Sequence, residues 1–383
     1  MNGGRRRFVR LVGGGVVMTA ATVAMPGCAG GPGTAPGVAV RPEDAADPRR
    51  WALAHAQLAP SHLNLQPWLA DLRRDGEIVV HCDQRRRLPE GDASDRQLLI
   101  GCGGFLELLE IALRRRGLDV TTMLSPDGAF DSLTDGRPLA VLRLRAAAKP
   151  AHEPLFEQVT SRRTNRSAYE VDRPMGEDVL AGLRASASRA LVEAGSANGG
   201  ERREALRLIA RSAWAIEMGT SRVWRETAGQ LRVGSDEAAS RGDGIVLSGF
   251  AALARAAGVF DRRALVDAGS GVHRRLLEDG FRQADTATAW IWLVTPGNGR
   301  EQQIEAGRAH LRLHLEATAR GVALQPMTQA LQDYPEMASL RRTLHDALML
   351  DPERLTVQML SRVGYSVPAG PSVRRPLSAL LTS

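Results

Sequence analysis

The sequence contains few aromatic residues and almost no lysine. Phenylalanine, tryptophan and tyrosine together make up 4% of the 383 residues, and Lys149 is the one lysine. The net charge of +7 therefore comes from arginines, which alternate with acids, as in LRRDGEIVVHCDQRRRLPEGD. A nucleic-acid surface needs a basic stripe, and a single-stranded site also needs aromatic residues for stacking. The composition argues against nucleic-acid binding and favours small arginine clusters, which suit a phosphate.

Cysteine and metal-ligand patterns are also sparse. The three cysteines are Cys28, Cys82 and Cys102, and no Cys-x-x-Cys pair occurs. Cys82 on a predicted strand and Cys102 in an apolar helix favour core packing over a disulfide. His310 and His314 lie four residues apart on one predicted helix, which alone is a weak metal motif. We therefore predict no metal site.

Motifs for covalent catalysis and for dinucleotide binding are missing. No Gly-x-Ser-x-Gly elbow occurs, and no Gly-x-Gly-x-x-Gly follows a predicted strand. No acid is evidently paired with a histidine. The sequence alone therefore identifies no catalytic acid, base or nucleophile.

The first 50 residues have the features of an export signal followed by a linker. Four arginines lie within the first ten residues, and the apolar run at 11–25 is too short and too rich in glycine to span a membrane stably. Arg5-Arg6-x-Phe8 resembles a twin-arginine signal, which exports folded chains; an ordinary secretory signal is the alternative. We expect 1–28 to be the signal and 29–50 a flexible linker.

The end of the signal, MPGCAG, is similar to a lipoprotein processing site. Gly27 precedes Cys28 as in such sites, whereas Met25 and Pro26 match poorly. A lipid anchor at Cys28 and cleavage near Ala29 without a lipid both stay open. Either outcome predicts a periplasmic or cell-envelope protein.

A pattern of glycines and apolar residues recurs at an offset of 204 residues. The first copy is the predicted helix RQLLIGCGGFLELLEIALRRRG with the strand LDVTTML; the second is REQQIEAGRAHLRLHLEATARGVALQPM. Gly103 corresponds to Gly307, and Gly117 to Gly321. Each copy follows an apolar strand, EIVVHCD or TATAWIWLVTP. The repeat predicts two related halves, 51–150 and 151–383, packed like a dimer joined into one chain.

The segment APSHLNLQPW, at 59–68, occurs in the first half only. Asn64 and Gln66 are two positions apart, so both amides face one side if the backbone is extended. Their donors and acceptors suit the edge of a flat heterocycle. The alternative is a turn in which both amides bind neighbouring backbone groups.

The segment SRRTNRSAY, at 161–169, occurs in the second half only. It contains three arginines and a hydroxyl, which suit a phosphate monoester: Arg162, Arg163, Arg166 and Thr164. A solvated basic turn is the alternative. Because each half carries a segment that the other lacks, we expect one composite site where the halves meet.

Taken in order, several segments resemble the flavin-dependent nitroreductase superfamily, and within it the single-chain, internally duplicated Acg-type branch. They are APSHLNLQPW, SRRTNRSAY, EAGRAHLRLHLEATARGVALQPM and SRVGYSVPAGPSVRRPL, with a first-half signature in RLPEGDASDRQLLIGCGGFLELLEIALRRRG. The resemblance spans about 51–383. It implies an α+β fold of two related half-domains packed as a pseudo-dimer, with mixed, mainly antiparallel sheets flanked by helices, and FMN bound between them.

The resemblance also implies roles for individual residues. Binding of the FMN phosphate, ribityl chain and pyrimidine edge falls to Arg162, Arg163, Thr164 and Arg166, with Arg374 or Arg375 adding to the phosphate clamp. The flavin ring lies between Pro60, Ser61, Asn64 and Gln66 on one side and Gln325, Pro326 and Met327 on the other. The chain departs from the family pattern at His62-Leu63, which replaces a smaller polar pair.

The implied activity is electron transfer from a donor such as NAD(P)H, through FMN, to a quinone or nitroaromatic acceptor in a ping-pong cycle. A flavin-storage protein with little turnover is the alternative, and a scaffold that lost the cofactor is a third reading. The stretch at 232–262 is a lid over the flavin or an ordinary surface helix-loop. With the dimer built into one chain, the protein is expected to be a monomer.

Overall fold

Two four-stranded sheets with helices packed against them form the body of the protein in the computed structural model. The structure describes residues 42–128, 136–148, 153–247 and 249–382. The predicted signal at 1–28 and most of the predicted linker lie outside these residues. Within the described ranges, none of the helices combines the length and the hydropathy that a membrane span requires.

The first half contains one complete sheet. Its elements are α1 (Pro42–Ala46), α2 (Pro48–Ala56), β1 (Trp68–Asp71), β2 (Glu77–Cys82), α3 (Arg96–Arg115), β3 (Leu118–Leu124) and β4 (Ala140–Ala146). The strands run in the order β1-β2-β4-β3, and every neighbouring pair is antiparallel.

The second half contains the other sheet and a long helical insertion. Its elements are α4 (Glu177–Ala187), β5 (Glu193–Ala197), α5 (Gly200–Gly219), α6 (Ser221–Gly229), β6 (Leu231–Val233), α7 (Ser235–Arg241), β7 (Ile245–Leu247), α8 (Phe250–Ala256), α9 (Gly271–Asp285), β8 (Ala289–Pro296), α10 (Arg300–Ala319), β9 (Ala323–Pro326), α11 (Ala338–Leu348) and β10 (Leu355–Gly364). The sheet order is β5-β8-β10-β9, again antiparallel, and β6 pairs with β7 in a separate parallel ribbon.

The two sheets have the same topology. In the first half β2, α3, β3 and β4 follow one another, and β4 lies between β2 and β3 in the sheet. In the second half β8, α10, β9 and β10 follow in the same order, and β10 lies between β8 and β9. Helices α3 and α10 begin and end at positions that differ by 204 residues, and each is followed by a left-handed glycine, Gly117 or Gly321. The predicted α+β class with two related halves is confirmed.

The repeated glycines lie where α3 and α10 cross. A Cβ atom on Gly103 would sit 2.0 Å from the Ile304 carbonyl oxygen, and one on Gly307 would sit 2.0 Å from the Ile100 carbonyl oxygen. The helix backbones therefore touch directly, which side chains at these positions would prevent. Next to the crossing, the buried Arg308 pairs with Glu107 at 3.2 Å and with Glu110 at 2.8 Å.

The second half also supplies part of the first half's core. Ile304, Leu311 and Leu315 of α10 pack among the apolar residues of α3, β1 and β2. The C-terminal segment crosses back to β1, where the Ala70 N–H donates to the Leu380 carbonyl at 2.7 Å and Thr382 donates to the Ala70 carbonyl. The halves are therefore interlocked rather than merely in contact.

The flexible linker predicted for 29–50 is wrong for its last nine residues. Helix α1 and the start of α2 occupy 42–50, and the buried carboxylate of Asp44 pairs with Arg50 at 2.6 Å. Asp47 caps α2 by accepting from the Arg49 N–H. A polar, alanine-rich stretch that looks like a tether thus begins the fold, while 29–41 lie outside the described residues.

We predict that Gly307→Ala destabilises the protein although alanine is the better helix former. The added methyl group collides with the α3 backbone, and such overpacking costs about 1–3 kcal/mol or more. Urea unfolding followed by circular dichroism measures the change. The matched control is Gly219→Ala in α5, where a Cβ meets nothing within 4 Å; an equal loss in both variants would contradict the crossing.

Candidate functional site

A cavity of about 880 Å³ lies where the two halves meet. The first half contributes residues from the APSHLNLQPW segment and from α3, including Pro60, Ser61, Gln97 and Ile100. The second half contributes the larger share of the lining. The volume falls in the range of cofactor sites, and the composite location agrees with the one expected from the distribution of the two segments.

The segment APSHLNLQPW is not extended. Residues 62–64 form a 3₁₀ turn, and Leu63, Asn64 and Gln66 have positive φ angles of 46°, 56° and 53°. The Ser61 hydroxyl stabilises this turn by accepting from the Gln66 N–H at 2.9 Å. Pro60, Ser61, His62 and Leu63 line the cavity, whereas Asn64 and Gln66 do not. The prediction that both amides face one ligand is therefore wrong.

The two amides hold distant backbone segments together instead. Gln66, which is 0% exposed, donates to the Gly242 carbonyl at 2.8 Å and accepts from the Arg375 N–H at 2.9 Å. Asn64 donates to the carbonyls of Gly244 and Val373 at 3.2 and 3.1 Å. The structure thus shows the alternative in which the amides bind backbone groups, but those groups are remote in sequence.

The arginine segment divides between the cavity and the protein interior. Thr164 and Arg166 line the cavity. The Arg166 side chain keeps solvent-accessible surface, so its guanidinium is not enclosed by protein. Among the described residues, Arg166 has no hydrogen-bond or ion-pair partner. An unpaired guanidinium in a cavity lining offers forked donors to an anionic ligand.

Three other predicted phosphate ligands lie together outside the cavity lining. Arg162 and Arg374 both donate to the Leu58 carbonyl, at 2.9 and 3.1 Å, and Arg163 lies beside them. Burial, with the positive charge of Arg374 and Arg163, lowers the pKa of Arg162 to about 9. None of the three is paired with a carboxylate within the described residues. Arg375 binds the Gln66 carbonyl and is structural.

Gln325, Pro326 and Met327 line the cavity from the end of β9. The Gln325 amide is already bound on both sides: it accepts from Arg362 at 2.7 Å and donates to Gln283 at 2.7 Å. Arg362 is 0% exposed and also donates to the Ser167 carbonyl at 2.7 Å. It therefore joins β9, β10 and the arginine segment, a positioning role that the sequence did not reveal.

The stretch at 232–262 contributes a wall to the cavity. Ile245, Val246 and Leu247 of β7 and Ala251 and Leu253 of α8 belong to the lining. The ion pair between Arg232 and Asp243, 2.7 Å, holds β6 against the turn before β7. The stretch thus lines one side of the cavity; that it acts as a lid stays a prediction.

A second wall, from α5, α6 and α9, carries an acid that sequence reasoning missed. Glu217 is 2% exposed and lines the cavity. Its Oε1 accepts from the Thr227 hydroxyl at 3.0 Å, and its Oε2 has no hydrogen-bond partner. Burial raises the pKa of this carboxyl to about 7. The spacing of Trp214 and Glu217, three residues apart on a helix, was the signal for a shared face.

His310 and His314 on α10 are both buried and neutral. Arg162 donates to His314 Nδ1 at 3.2 Å, so His314 Nε2 carries the proton and donates to the Arg163 carbonyl at 2.9 Å. His310 lines the cavity with both ring nitrogens unpartnered, and burial lowers its pKa to about 3. The described ranges contain no cluster of three side chains suited to a metal ion.

Part of the chain is similar in sequence to a curated nitroreductase. A curated relative, the probable NAD(P)H nitroreductase PigM of Serratia sp. (strain ATCC 39006), is 26% identical over 197 residues, or 50% of this chain and 53% of PigM. The chain thus matches about half the length of that relative. No protein-family model matches the chain.

Two solved structures are also similar. The FMN-dependent nitroreductase NfnB of Mycobacterium smegmatis, in complex with NADPH, aligns with 59% of this chain and 96% of its own, at 17% identity and a TM-score of 0.37. A nitroreductase of Bacteroides fragilis with bound FMN aligns with 59% and 95%, at 14% identity and a TM-score of 0.33. Similarity at this level carries no argument about the chemistry of this chain.

We predict that Gln66→Leu reduces stability, because it leaves the Gly242 carbonyl and the Arg375 N–H buried without partners. Each orphaned group costs about 1–3 kcal/mol. Thermal and urea unfolding measure the effect. The control is Gln84→Leu, a half-buried glutamine with no side-chain hydrogen bond among the described residues; equal stability of the two variants would contradict the bracing role of Gln66.

Proposed function

We propose that this protein is an exported FMN-dependent oxidoreductase of the nitroreductase type, which passes electrons from a donor such as NAD(P)H to quinone or nitroaromatic acceptors in a ping-pong cycle. The observation that carries the proposal is Arg166, an unpaired guanidinium beside Thr164 in a cavity built from both repeats. The 26% identity to a nitroreductase supports it over half the chain.

The lining suits FMN in charge, shape and polarity. Arg166 and the Thr164 hydroxyl offer donors to the anionic or acceptor edge of the cofactor. His310 adds one donor and one acceptor with no protein partner, and the unpaired Gln97 Nε2 adds another donor. Pro60, Ile100, Pro326 and Met327 provide apolar contacts for a flat ring.

In the proposed reaction the cofactor carries the electrons, and the protein positions it. FMN, when bound, supplies the electron-transfer chemistry, so no protein side chain has to act as a nucleophile. Arg362 fixes Gln325 and the arginine segment relative to each other, which keeps Thr164 and Arg166 in place. β7, α8 and α9 contribute apolar residues to one side of the cavity.

Three of the predicted phosphate ligands lie outside the cavity lining. Arg162, Arg163 and Arg374 form a positive cluster with no carboxylate partner among the described residues, and such a cluster attracts an anion. In the proposed complex these arginines contribute to the positive potential around the FMN phosphate, and Thr164 and Arg166 contact the cofactor directly. Asn64, Gln66 and Arg375 brace the site.

A second candidate function is storage of FMN with little turnover. The wall that Ile245, Val246 and Leu247 place beside the cavity favours it, because a wall next to the ring limits the approach of a donor. Export supports the same reading, since it separates the protein from cytoplasmic NAD(P)H. The two functions share the cofactor site and differ in whether a reductant reaches it.

We predict that the purified protein is yellow and that Arg166→Ala weakens FMN binding about 10- to 100-fold, because a charge-assisted hydrogen bond is lost. Flavin fluorescence titration of the apoprotein measures the affinity. The control is Arg275→Ala, since Arg275 also lines the cavity but pairs with Asp279 at 3.1 Å.

The outcomes separate the candidates. A colourless protein that takes up no added FMN rules out both flavin functions. Anaerobic bleaching of the flavin absorbance by NADH or NADPH supports the oxidoreductase, and a flavin that these donors leave oxidised supports storage. Unchanged affinity in Arg166→Ala contradicts the assigned anion contact.

Export by the twin-arginine route is part of the proposal, with processing at or just after Cys28, where a lipid anchor stays one of the two outcomes. We predict that replacing both Arg5 and Arg6 with lysine retains the protein in the cytoplasm. Cell fractionation with immunoblotting locates the product. Arg10→Lys, outside the pair, is the control and should be exported; export of the double variant would reject this route.

A further inference from the structure

We propose that Trp214, Trp224 and Glu217 form the subsite for the electron acceptor, and that it takes a flat, uncharged aromatic molecule whose carbonyl or nitro oxygen accepts a hydrogen bond from Glu217. The inference rests on the proposed function, since it names the residues that bind the acceptor in the same cavity. It concerns a wall to which sequence reasoning assigned no role. All three side chains belong to the cavity lining.

The position of Glu217 is fixed by its neighbours. It lies near the C-terminal end of α5, and the Thr227 hydroxyl of α6 donates to its Oε1 at 3.0 Å. Gln329, two residues after Met327, also approaches the carboxyl. Glu217 therefore adjoins the segment that we assign to one side of the flavin, which is where an acceptor has to bind to receive electrons.

Oε2 is the atom left for a ligand. It is buried and has no hydrogen-bond partner in the described residues. No arginine, lysine or histidine there forms an ion pair with Glu217. A carboxyl that is buried without a cation keeps its proton. Because Oε1 already accepts from Thr227, the proton resides on Oε2, and the carboxyl presents a donor to the cavity.

The two tryptophans define the shape of the subsite. Their rings meet edge to face, with centroids 5.7 Å apart at 85°. Each indole N–H is already bound to the protein, Trp214 to the Leu276 carbonyl at 3.2 Å and Trp224 to the Leu265 carbonyl at 2.7 Å. Only apolar surface of the rings is thus free to contact a ligand, which suits an aromatic molecule.

Gly280 of α9 makes this arrangement possible. A Cβ atom at that position would lie 2.1 Å from the Trp214 ring nitrogen. The close approach of α9 presses Trp214 into the lining. Any larger residue at 280 would displace the ring and change the subsite.

The charges around the cavity favour an uncharged acceptor over a dinucleotide. Of the arginines in the lining, Arg275 is paired with Asp279, and Arg166 is assigned to the cofactor. His62 and His310 are neutral, because burial lowers their pKa values to about 4 and about 3. The tryptophan wall therefore offers no free cation for a pyrophosphate or a carboxylate, whose desolvation would go uncompensated.

The test is ligand binding to the oxidised protein without any electron donor, so that no turnover occurs. Nitrobenzene, toluene and 4-nitrobenzoate are titrated separately, with quenching of tryptophan fluorescence as the readout and calorimetry as a check. We expect the wild type to bind nitrobenzene more tightly than toluene and far more tightly than 4-nitrobenzoate. Tighter or equal binding of 4-nitrobenzoate overturns the proposal.

Variants then locate the hydrogen bond. Glu217→Leu should weaken nitrobenzene about five- to tenfold, the range for one hydrogen bond, and leave toluene unchanged. Glu217→Gln retains an N–H donor and should keep most of the affinity. Glu204→Leu, on the exposed side of the same helix, is the matched control. An equal loss for nitrobenzene and toluene in Glu217→Leu, or no loss for either, overturns the assignment.

The wild-type comparison among the three ligands needs no variant, so the proposal can be rejected even if Glu217→Leu does not fold. Failure of the proposed function looks different. In that case the protein takes up no FMN or is not reduced, whatever the ligand preference of the tryptophan wall. Retained flavin absorbance in the Glu217 variants, with altered nitrobenzene binding, assigns the residue to the acceptor and not to the cofactor.

Discussion

The contact between the backbones of α3 and α10 is the constraint on which the rest of the structure depends. Gly103 and Gly307 let the helices touch, and a methyl group on either would overlap the other backbone. Each helix belongs to one copy of the repeat and lines the cavity with its own residues, such as Gln97 and His310. The depth and the composite lining of the cavity follow from this one close crossing.

The arginines near the cavity differ in whether the protein supplies them with partners. Arg308 is buried but neutralised by Glu107 and Glu110, and Arg362 is buried and satisfied by carbonyl and amide oxygens. Arg166, by contrast, has neither kind of partner among the described residues. Arg166 is also exposed where Arg308 and Arg362 are buried, so its forked N–H donors remain available to an anion.

The repeat could be predicted because its signals are local: apolar spacing within one helix, and glycines at its end and its crossing. The hydrogen bonds of Asn64 and Gln66 could not be predicted, because their partners are remote in sequence. The Gly242 carbonyl that accepts from Gln66, for example, lies 176 positions further along the chain. Glu217 reads as an ordinary surface acid in an amphipathic helix until the insertion packs over it. The predicted site residues of 325–327 line the cavity, yet the arginine that orients Gln325 was hidden in an apolar strand.

The return of the C-terminal segment to β1 has a consequence for how the chain is made. Leu377, Leu380 and three residues of α10 are part of the first half's core, so an early portion of the nascent chain has no partner for much of its apolar surface while it leaves the ribosome. That surface stays uncovered until residues 377–382 have left the ribosome. Folding of the first half is therefore tied to synthesis of a segment more than 200 residues further along the chain.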